Sequence, residues 1–205
     1  MNASSASRAS VASVRRTLLS TAGLAVGIAI GLALTGPTEM LLGVMFVLPV
    51  VGIAAGLTLG GAQLFPGVHD HVHAALWTAG TALGLAVGLT GGTVLVEALA
   101  LEAGSMPDDL MALLLVGGLA GGGVGLGKWA CLRLGASPVS ASRWVLGEAL
   151  ALATGALLGG MLCYLALGTI RSVPAIMLIA AAGGIAEGLV FDRNWRRERP
   201  AMDAG

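Results

Sequence analysis

The apolar residues of this chain fall into six long runs, separated by short stretches that hold most of its charged residues and prolines. The runs cover residues 17–34, 40–64, 74–97, 110–130, 144–167 and 173–191. An apolar run of about 18 residues or more can cross the hydrocarbon core of a membrane as a helix. Lipid offers no partners to backbone groups, so only helices and closed barrels span it, and barrel-like alternation is absent from the sequence. The pattern predicts an all-α polytopic membrane protein with six transmembrane helices.

The first apolar run recurs along the chain. LSTAGLAVGIAIGL at 19–32 matches LWTAGTALGLAVGL at 76–89 at nine of 14 positions, and RWVLGEALALATGA at 143–156 matches the second copy at seven of 14. The second helix of each pair follows a hydroxyl-x-proline sequence, at Thr35, Ser105 and Ser172, which suits a helix start. Parallel repeats of this kind are related by an axis along the membrane normal. The sequence therefore predicts three tandem hairpins in a quasi-threefold bundle.

The repeat divides one membrane domain into five segments. We expect a disordered tail at 1–16, hairpin one with its inner loop at 17–73, hairpin two with its inner loop at 74–143, hairpin three at 144–191, and a charged tail at 192–205. The first apolar run is longer than a signal-peptide core and lacks a small-x-small cleavage pattern, which favours its retention as the first span. Pro49 lies inside the predicted second span and is expected to kink it.

The basic residues predict an orientation. If the N-terminus is cytoplasmic, ten of the 11 lysines and arginines fall on inner segments, and only Arg171 falls on an outer one. Cytoplasmic loops carry such an excess of Lys and Arg, and six spans place both termini on that side. The four tryptophans also fall at predicted inner ends, as an interfacial belt would place them. We expect location in the cell (inner) membrane with both termini cytoplasmic.

Composition agrees with the membrane class and argues against several others. Only 11% of the 205 residues are charged, against about a quarter in soluble domains. The few basic residues lie at span ends, so no nucleic-acid partner is expected. Cys131 and Cys163 have no zinc or disulfide spacing. The sequence contains no nucleophile–base pair and no phosphate-binding loop in its proper context, so we expect neither catalytic residues nor enzyme activity.

Three of the predicted spans carry a glycine at every fourth position. This spacing puts the glycines on nearly one helix face, where they form a groove for another backbone. No hydrophobic drive remains between helices in lipid, so close packing has to supply their association. We therefore expect packing, rather than a hinge or a gated path, at Gly23, Gly27, Gly31, Gly52, Gly56, Gly60, Gly80, Gly84 and Gly88.

The loop before the third span holds the densest group of side chains that can bind a metal: His69, Asp70, His71 and His73. Imidazole with carboxylate suits zinc, nickel, cobalt or copper. The downstream half of a zinc signature is absent, so the preferred interpretation is a solvated loop, with a metal site as the alternative. A divalent metal is the only cofactor that the sequence suggests.

Glu148 and Glu187 lie inside the predicted fifth and sixth spans, and Lys128 lies inside the fourth. Ionisable groups within spans are unfavourable in lipid and are functional-site candidates by default. Two interpretations stay open. In the first, the carboxylates are structural groups that pair with Lys128 or Arg143 or reach the membrane interface. In the second, they form a cation or proton site that faces the cytoplasm.

Two resemblances follow from the repeat. The sequence W-x2-G-x-A-L-x-L-A, at 77–86 and again at 144–153, resembles uncharacterised glycine-rich tandem-hairpin proteins of bacterial membranes, and this likeness implies no activity. The six spans and the small-residue ladder Ala25, Ala29 and Ala33 also look like the substrate-binding membrane subunits of energy-coupling-factor vitamin importers. The threefold repeat departs from the second group.

Two classes of function remain. The first is a non-enzymatic, glycine-packed helical module that lies in the lipid bilayer and assembles with itself or with a membrane partner. The alternative is a small-solute or metal-ion permease, or the membrane subunit of a transporter, and it rests on Glu148, Glu187 and the histidine loop. A water-lined cavity at mid-membrane would favour the permease, whereas a solid glycine-packed interior would favour the module.

Overall fold

The computed structural model describes residues 3–42, 46–64, 71–99, 101, 105–134 and 140–202. Its helices are α1 Ala3–Ala33, α2 Thr35–Leu42, α3 Val47–Leu64, α4 His71–Ala98, α5 Met106–Leu134, α6 Ala141–Leu167 and α7 Val173–Met202. All of these except α2 are long and apolar enough to cross a membrane. The prediction of an all-α, six-span membrane protein is confirmed.

The six spanning helices pack side by side in chain order, and α7 returns to pack against α1. Arg16 in α1 forms an ion pair with Asp192 in α7, so the start of the first span and the end of the last lie at one end of the bundle. We call this the Arg16 end. The opposite end, where α5 begins, is called the Asp109 end. Large apolar side chains such as Leu83, Val87 and Leu150 are exposed on the outside of the helices, where they contact lipid.

Glycines face the neighbouring backbone all around the ring. An ideal Cβ on Gly84 of α4 would lie 2.2 Å from the carbonyl oxygen of Gly123 in α5, far inside van der Waals contact. In the other five helix pairs, an ideal Cβ on the glycine would also lie very close to a backbone atom of the neighbouring helix. These distances are 2.4 Å from Gly27 to Ala55 Cα, 2.3 Å from Gly56 to Ala82 Cα, 2.1 Å from Gly121 to the Glu148 carbonyl oxygen, 2.6 Å from Gly155 to Gly183 Cα and 2.6 Å from Gly184 to Thr21 Cα. Each of the six neighbouring helix pairs therefore has at least one point at which only glycine fits.

The interior of the ring is arranged in layers. Its middle is an aliphatic layer of buried side chains, comprising Leu24, Leu59, Leu85, Val124 and Leu152. One helical turn nearer the Arg16 end, at positions four residues away, lie the buried polar side chains Ser20, Gln63, Thr81, Lys128 and Glu148, joined by Glu187 of α7. One turn further lies an aromatic layer of Trp77, Trp144, Phe191 and Trp195. The polar side chains are thus enclosed between two apolar layers.

The helix ends differ from the predicted segments in two places. Residues 3–16, for which the sequence predicts a disordered tail, belong to α1. The final helix likewise runs on to Met202, through most of the predicted charged tail. Alanine, serine and arginine at 3–16 are compatible with a helix, which explains why α1 starts well before the apolar run at residue 17.

The second predicted span is also shorter than expected. Thr35 starts a helix as predicted, but that helix is the short α2, and the spanning helix α3 starts only at Val47. Pro49 is therefore in the first turn of α3, where a proline has no hydrogen bond to break, and the predicted kink is wrong. The other two helix starts are confirmed, because Ser105 Oγ accepts a hydrogen bond from Asp108 N and Ser172 Oγ accepts one from Ala175 N.

Candidate functional site: a buried ion cluster

Three ionisable side chains from three helices meet inside the polar layer. Lys128 of α5, Glu148 of α6 and Glu187 of α7 each have 0% of the residue exposed. Lys128 Nζ donates a hydrogen bond to Glu148 Oε1 at 2.9 Å and another to Glu187 Oε1. We call these three residues the ion cluster. The structure therefore brings together all three members of the polar site predicted from the sequence.

Two neutral polar residues extend the cluster to the first two spans. Gln63, at the end of α3, donates through Nε2 to Glu187 Oε1 at 2.5 Å and to Ser20 Oγ of α1 at 3.2 Å. Thr81 of α4 is also fully buried, but its hydroxyl donates to the carbonyl oxygen of Trp77 in its own helix. Five of the six spans thus contribute to one hydrogen-bonded network.

The charges in this network do not balance. When all three residues are ionised, one ammonium faces two carboxylates, so the ion cluster carries a surplus of one negative charge. Burying a charge without a counter-charge is strongly unfavourable in a low-dielectric interior. The network can therefore accommodate one additional positive charge.

Three acceptor oxygens in the same network are left without a hydrogen-bond partner in the part of the chain that the structure describes. They are Glu148 Oε2, Glu187 Oε2 and Gln63 Oε1, all buried. Buried polar atoms are normally satisfied, and an unsatisfied one calls for an explanation. Two buried donors, the indole Nε1 atoms of Trp77 and Trp144, are unpartnered in the same way.

The aromatic layer covers the ion cluster toward the Arg16 end. The Trp77 ring makes edge contacts with Trp144, Phe191 and Trp195 at centroid separations of 5.9, 5.8 and 6.3 Å. Lys128 Nζ lies 5.0 Å from the Phe191 centroid and 5.8 Å from that of Trp77, within the range of a cation–π attraction. The layer thus stabilises the ammonium and separates it from the end of the bundle.

The tryptophans do not form the interfacial belt that the sequence suggested. Trp144 is fully buried and Trp77 is 6% exposed, because they lie one turn from Glu148 and Thr81 on the interior faces of α6 and α4. Trp129 and Trp195 are half-buried beside them. The four rings belong to the packed interior and its margin, and the belt prediction is wrong for Trp77 and Trp144.

Charged residues also lie at the two ends of the bundle. At the Arg16 end, Asp192 accepts hydrogen bonds from Ser13 and pairs with Arg16 and Arg196. At the opposite end, Asp109 of α5 accepts a hydrogen bond from the Tyr164 hydroxyl of α6 and pairs with Arg171 at 3.4 Å. Both end groups are partly open to solvent, in contrast to the ion cluster.

The predicted histidine site receives no structural support. His69 and Asp70 lie outside the described residues, His71 is described only by its backbone, and His73 is exposed in the first turn of α4. Across the ranges that are described, no group of three or more His, Cys, Asp and Glu side chains could hold a metal ion.

Sequence reasoning missed Gln63 and Ser20. Gln63 lies at the end of an apolar run and next to a polar loop, where a single amide does not by itself indicate a site. Its spacing carried a signal, however, since Gln63 lies four residues after Leu59, and Ser20 lies four before Leu24. Both therefore continue a buried row on their helix.

No protein-family model matches this chain, and no curated protein or solved structure matches it either. The two resemblances drawn from the sequence therefore remain predictions.

Proposed function

We propose that this protein is a small-solute permease, or the membrane subunit of a transporter, that binds one positive charge at the ion cluster. The observation that supports this proposal is the surplus negative charge of Lys128, Glu148 and Glu187, which are wholly buried inside a ring of spanning helices. Ionisable groups in such positions mark ion and proton pathways in membrane proteins. The positive charge is either the transported species or the ion that drives it.

Exchange with either side of the membrane requires the ring to open. The aromatic layer separates the ion cluster from the Arg16 end, and the aliphatic layer separates it from the Asp109 end. A permease of this form alternates between opening one layer and opening the other. The glycine contacts bring neighbouring backbones close together, so opening requires some of these contacts to separate.

The test is a flux assay with purified protein in liposomes. Ion gradients of either sign are imposed, and proton movement is followed with an enclosed pH-sensitive dye and sodium movement with a radioactive tracer. We expect flux from the original chain and its loss from the variant with Glu148→Gln and Glu187→Gln. Asp109→Asn makes the same chemical change outside the cluster and is expected to retain flux. Equal flux from the double variant and the original chain would contradict the proposal.

The packed module is the second candidate. The glycine contacts and the aliphatic layer in the middle of the ring favour it, as expected for a solid interior, whereas the surplus charge of the ion cluster favours the permease. Gly31, Gly88 and Gly155 are equivalent positions in the predicted repeat, and a Cβ on each would lie within 2.3–2.7 Å of backbone in the second helix of the same hairpin. These glycines are used within the ring, so assembly with a partner would need other surfaces. Native mass spectrometry of protein extracted from its own membrane tests the assembly. A single copy without co-eluting protein counts against the module.

We also propose that the Arg16 end faces the cytoplasm of a cell (inner) membrane. Lys128 is buried in the bundle and no longer counts as a loop residue, which leaves nine basic residues on this side against Arg171 on the other. Labelling of a cysteine placed at residue 203 with a membrane-impermeant maleimide tests the orientation, in a background where Cys131 and Cys163 are replaced by alanine. Labelling of intact cells would contradict it.

A further inference from the structure

The three unpartnered oxygens of the polar network belong to side chains that are tied together by hydrogen bonds. Glu148 and Glu187 share Lys128 Nζ through their Oε1 atoms, and Gln63 donates to the same Oε1 of Glu187. Each side chain thus uses one polar atom to hold the network and leaves one oxygen free. Both donor nitrogens of the network, Lys128 Nζ and Gln63 Nε2, make two hydrogen bonds each, whereas its atoms without a partner are acceptor oxygens.

Spare acceptors with a negative surplus call for a bound cation. We infer that Glu148 Oε2, Glu187 Oε2 and Gln63 Oε1 are ligands of a monovalent alkali-metal cation of the sodium class, an inference that rests on the proposed function and names its ion. Carboxylate and amide oxygens are hard ligands, which suit alkali and alkaline-earth cations and not zinc or copper. The net charge of the ion cluster then distinguishes a monovalent alkali cation from a divalent alkaline-earth cation.

A monovalent cation brings the ion cluster to neutrality, since two carboxylates then face one ammonium and one metal ion. A divalent cation would leave a surplus positive charge in the same buried position, and an anion would deepen the negative surplus. The unpartnered indole N–H groups of Trp77 and Trp144 are donors, so they cannot ligate a metal ion. They lie in the aromatic layer and not in the ligand set.

The amide of Gln63 distinguishes a metal ion from a proton. A proton shared between the two carboxylates neutralises the same charge, but it joins only two oxygens and leaves Gln63 Oε1 unsatisfied. A metal ion accepts all three oxygens at once. Ser20 Oγ, which accepts a hydrogen bond from Gln63 Nε2, holds that amide so that its oxygen stays in the network.

Lys128 sets the conditions for binding. Its ammonium is hydrogen-bonded to both carboxylates, so it keeps two ligands together and also repels an incoming cation. We expect a site that is preformed and moderate in affinity, which is suited to loading and release. The aromatic layer places Trp77 within 5.8 Å of Lys128 Nζ, so intrinsic fluorescence reports occupancy directly.

The test is a titration of the purified full chain with sodium chloride in detergent, followed by tryptophan fluorescence and thermal unfolding. Choline chloride at equal ionic strength is the control salt. We expect a saturable change with sodium only. Gln63→Leu and Glu148→Gln should each weaken half-saturation by tenfold or more, and Asp109→Asn should leave it unchanged. Ser20→Ala, a smaller change expected to weaken half-saturation several-fold, keeps the test decisive if Gln63→Leu does not fold.

Two results would overturn the inference: identical responses to sodium and choline, or an undiminished sodium response in both Gln63→Leu and Glu148→Gln. A response to pH alone, equal in both salts, would assign the site to a proton. The flux assay separates the two proposals. Saturable sodium binding without any flux supports this site and contradicts the permease, whereas proton flux without sodium binding supports the permease and contradicts this site.

Discussion

Helices α5 and α6 contribute to two acid–base groups, one at the Asp109 end and one inside the bundle, and the two groups differ in almost every physical respect. At the Asp109 end, Asp109 is joined by the Tyr164 hydroxyl and by Arg171, whose side chain is 56% exposed. Inside the bundle, Lys128 holds Glu148 and Glu187 with no exposure at all. The end group has matched charges and access to water, whereas the ion cluster has a surplus charge and is enclosed by apolar layers.

The difference in exposure and charge balance bears on whether each group mainly stabilises the fold. An exposed ion pair contributes only about 0–1 kcal/mol, because water screens it. A buried ion pair often stabilises a fold no better than apolar residues of similar volume. Close backbone approach at glycine already brings α5, α6 and α7 together. We therefore assign the ion cluster the binding role proposed above and not a purely structural one.

The largest expected effect comes from removing the only positively charged side chain of the ion cluster. Lys128→Met leaves two buried carboxylates without a counter-charge, and we expect it to destabilise the folded state by about 3–5 kcal/mol. Yield of monodisperse protein and the midpoint of thermal unfolding in detergent measure the loss. The triple variant Lys128→Met, Glu148→Gln and Glu187→Gln removes the charges together and should recover most of the folded yield. A triple variant no more stable than Lys128→Met would show that the penalty does not come from unpaired charge.

The next effect tests whether glycine contacts, rather than ion pairs, hold the helices together. Gly84→Ala places a Cβ 2.2 Å from the carbonyl oxygen of Gly123, and such overpacking destabilises by about 1–3 kcal/mol. Gly91→Ala, on the same helix, meets no atom within 4 Å and should be neutral or slightly stabilising. Thermal unfolding of the two variants gives the comparison. Equal midpoints would remove the argument for a close helix contact at Gly84.

The smallest effect is expected at the Asp109 end. Arg171→Gln removes an exposed partner and should change stability by less than about 1 kcal/mol, with the difference vanishing at high salt because the exposed charge is screened. Unfolding midpoints at low and high sodium chloride measure this. If Arg171→Gln destabilised the protein as much as Lys128→Met, the distinction between the two groups would be lost.

The sequence could predict the number of spans because lipid imposes a minimum apolar length on each helix. It could also identify Glu148, Glu187 and Lys128, since charged residues are rare in such runs. It could not choose between Lys128 and Arg143 as the partner, because that choice depends on which face of α5 turns toward α6. The network around Gln63 required the ring closure of α7 on α1, which no local pattern encodes.

The errors have a similar cause. The tryptophans were assigned by their depth, which the sequence gives, whereas their burial depends on helix rotation, which it does not. The row joining Trp77 to Thr81 and Leu85 has a four-residue spacing, so a joint analysis of depth and helix face would have placed Trp77 inside. The position of Pro49 in its helix could not be predicted because the apolar run is continuous over 40–64 and gives no sign that α3 starts at Val47.

The closure of α7 on α1 has a consequence for the charge of the ion cluster. Within α5 and α6 alone, Lys128 and Glu148 form a pair with one charge of each sign. Glu187 arrives only with the final helix, and Gln63 and Ser20 reach it only once that helix has docked against the first. The charges of α5 and α6 in the ion cluster are therefore balanced without α7, and the surplus negative charge arises only when α7 closes the ring.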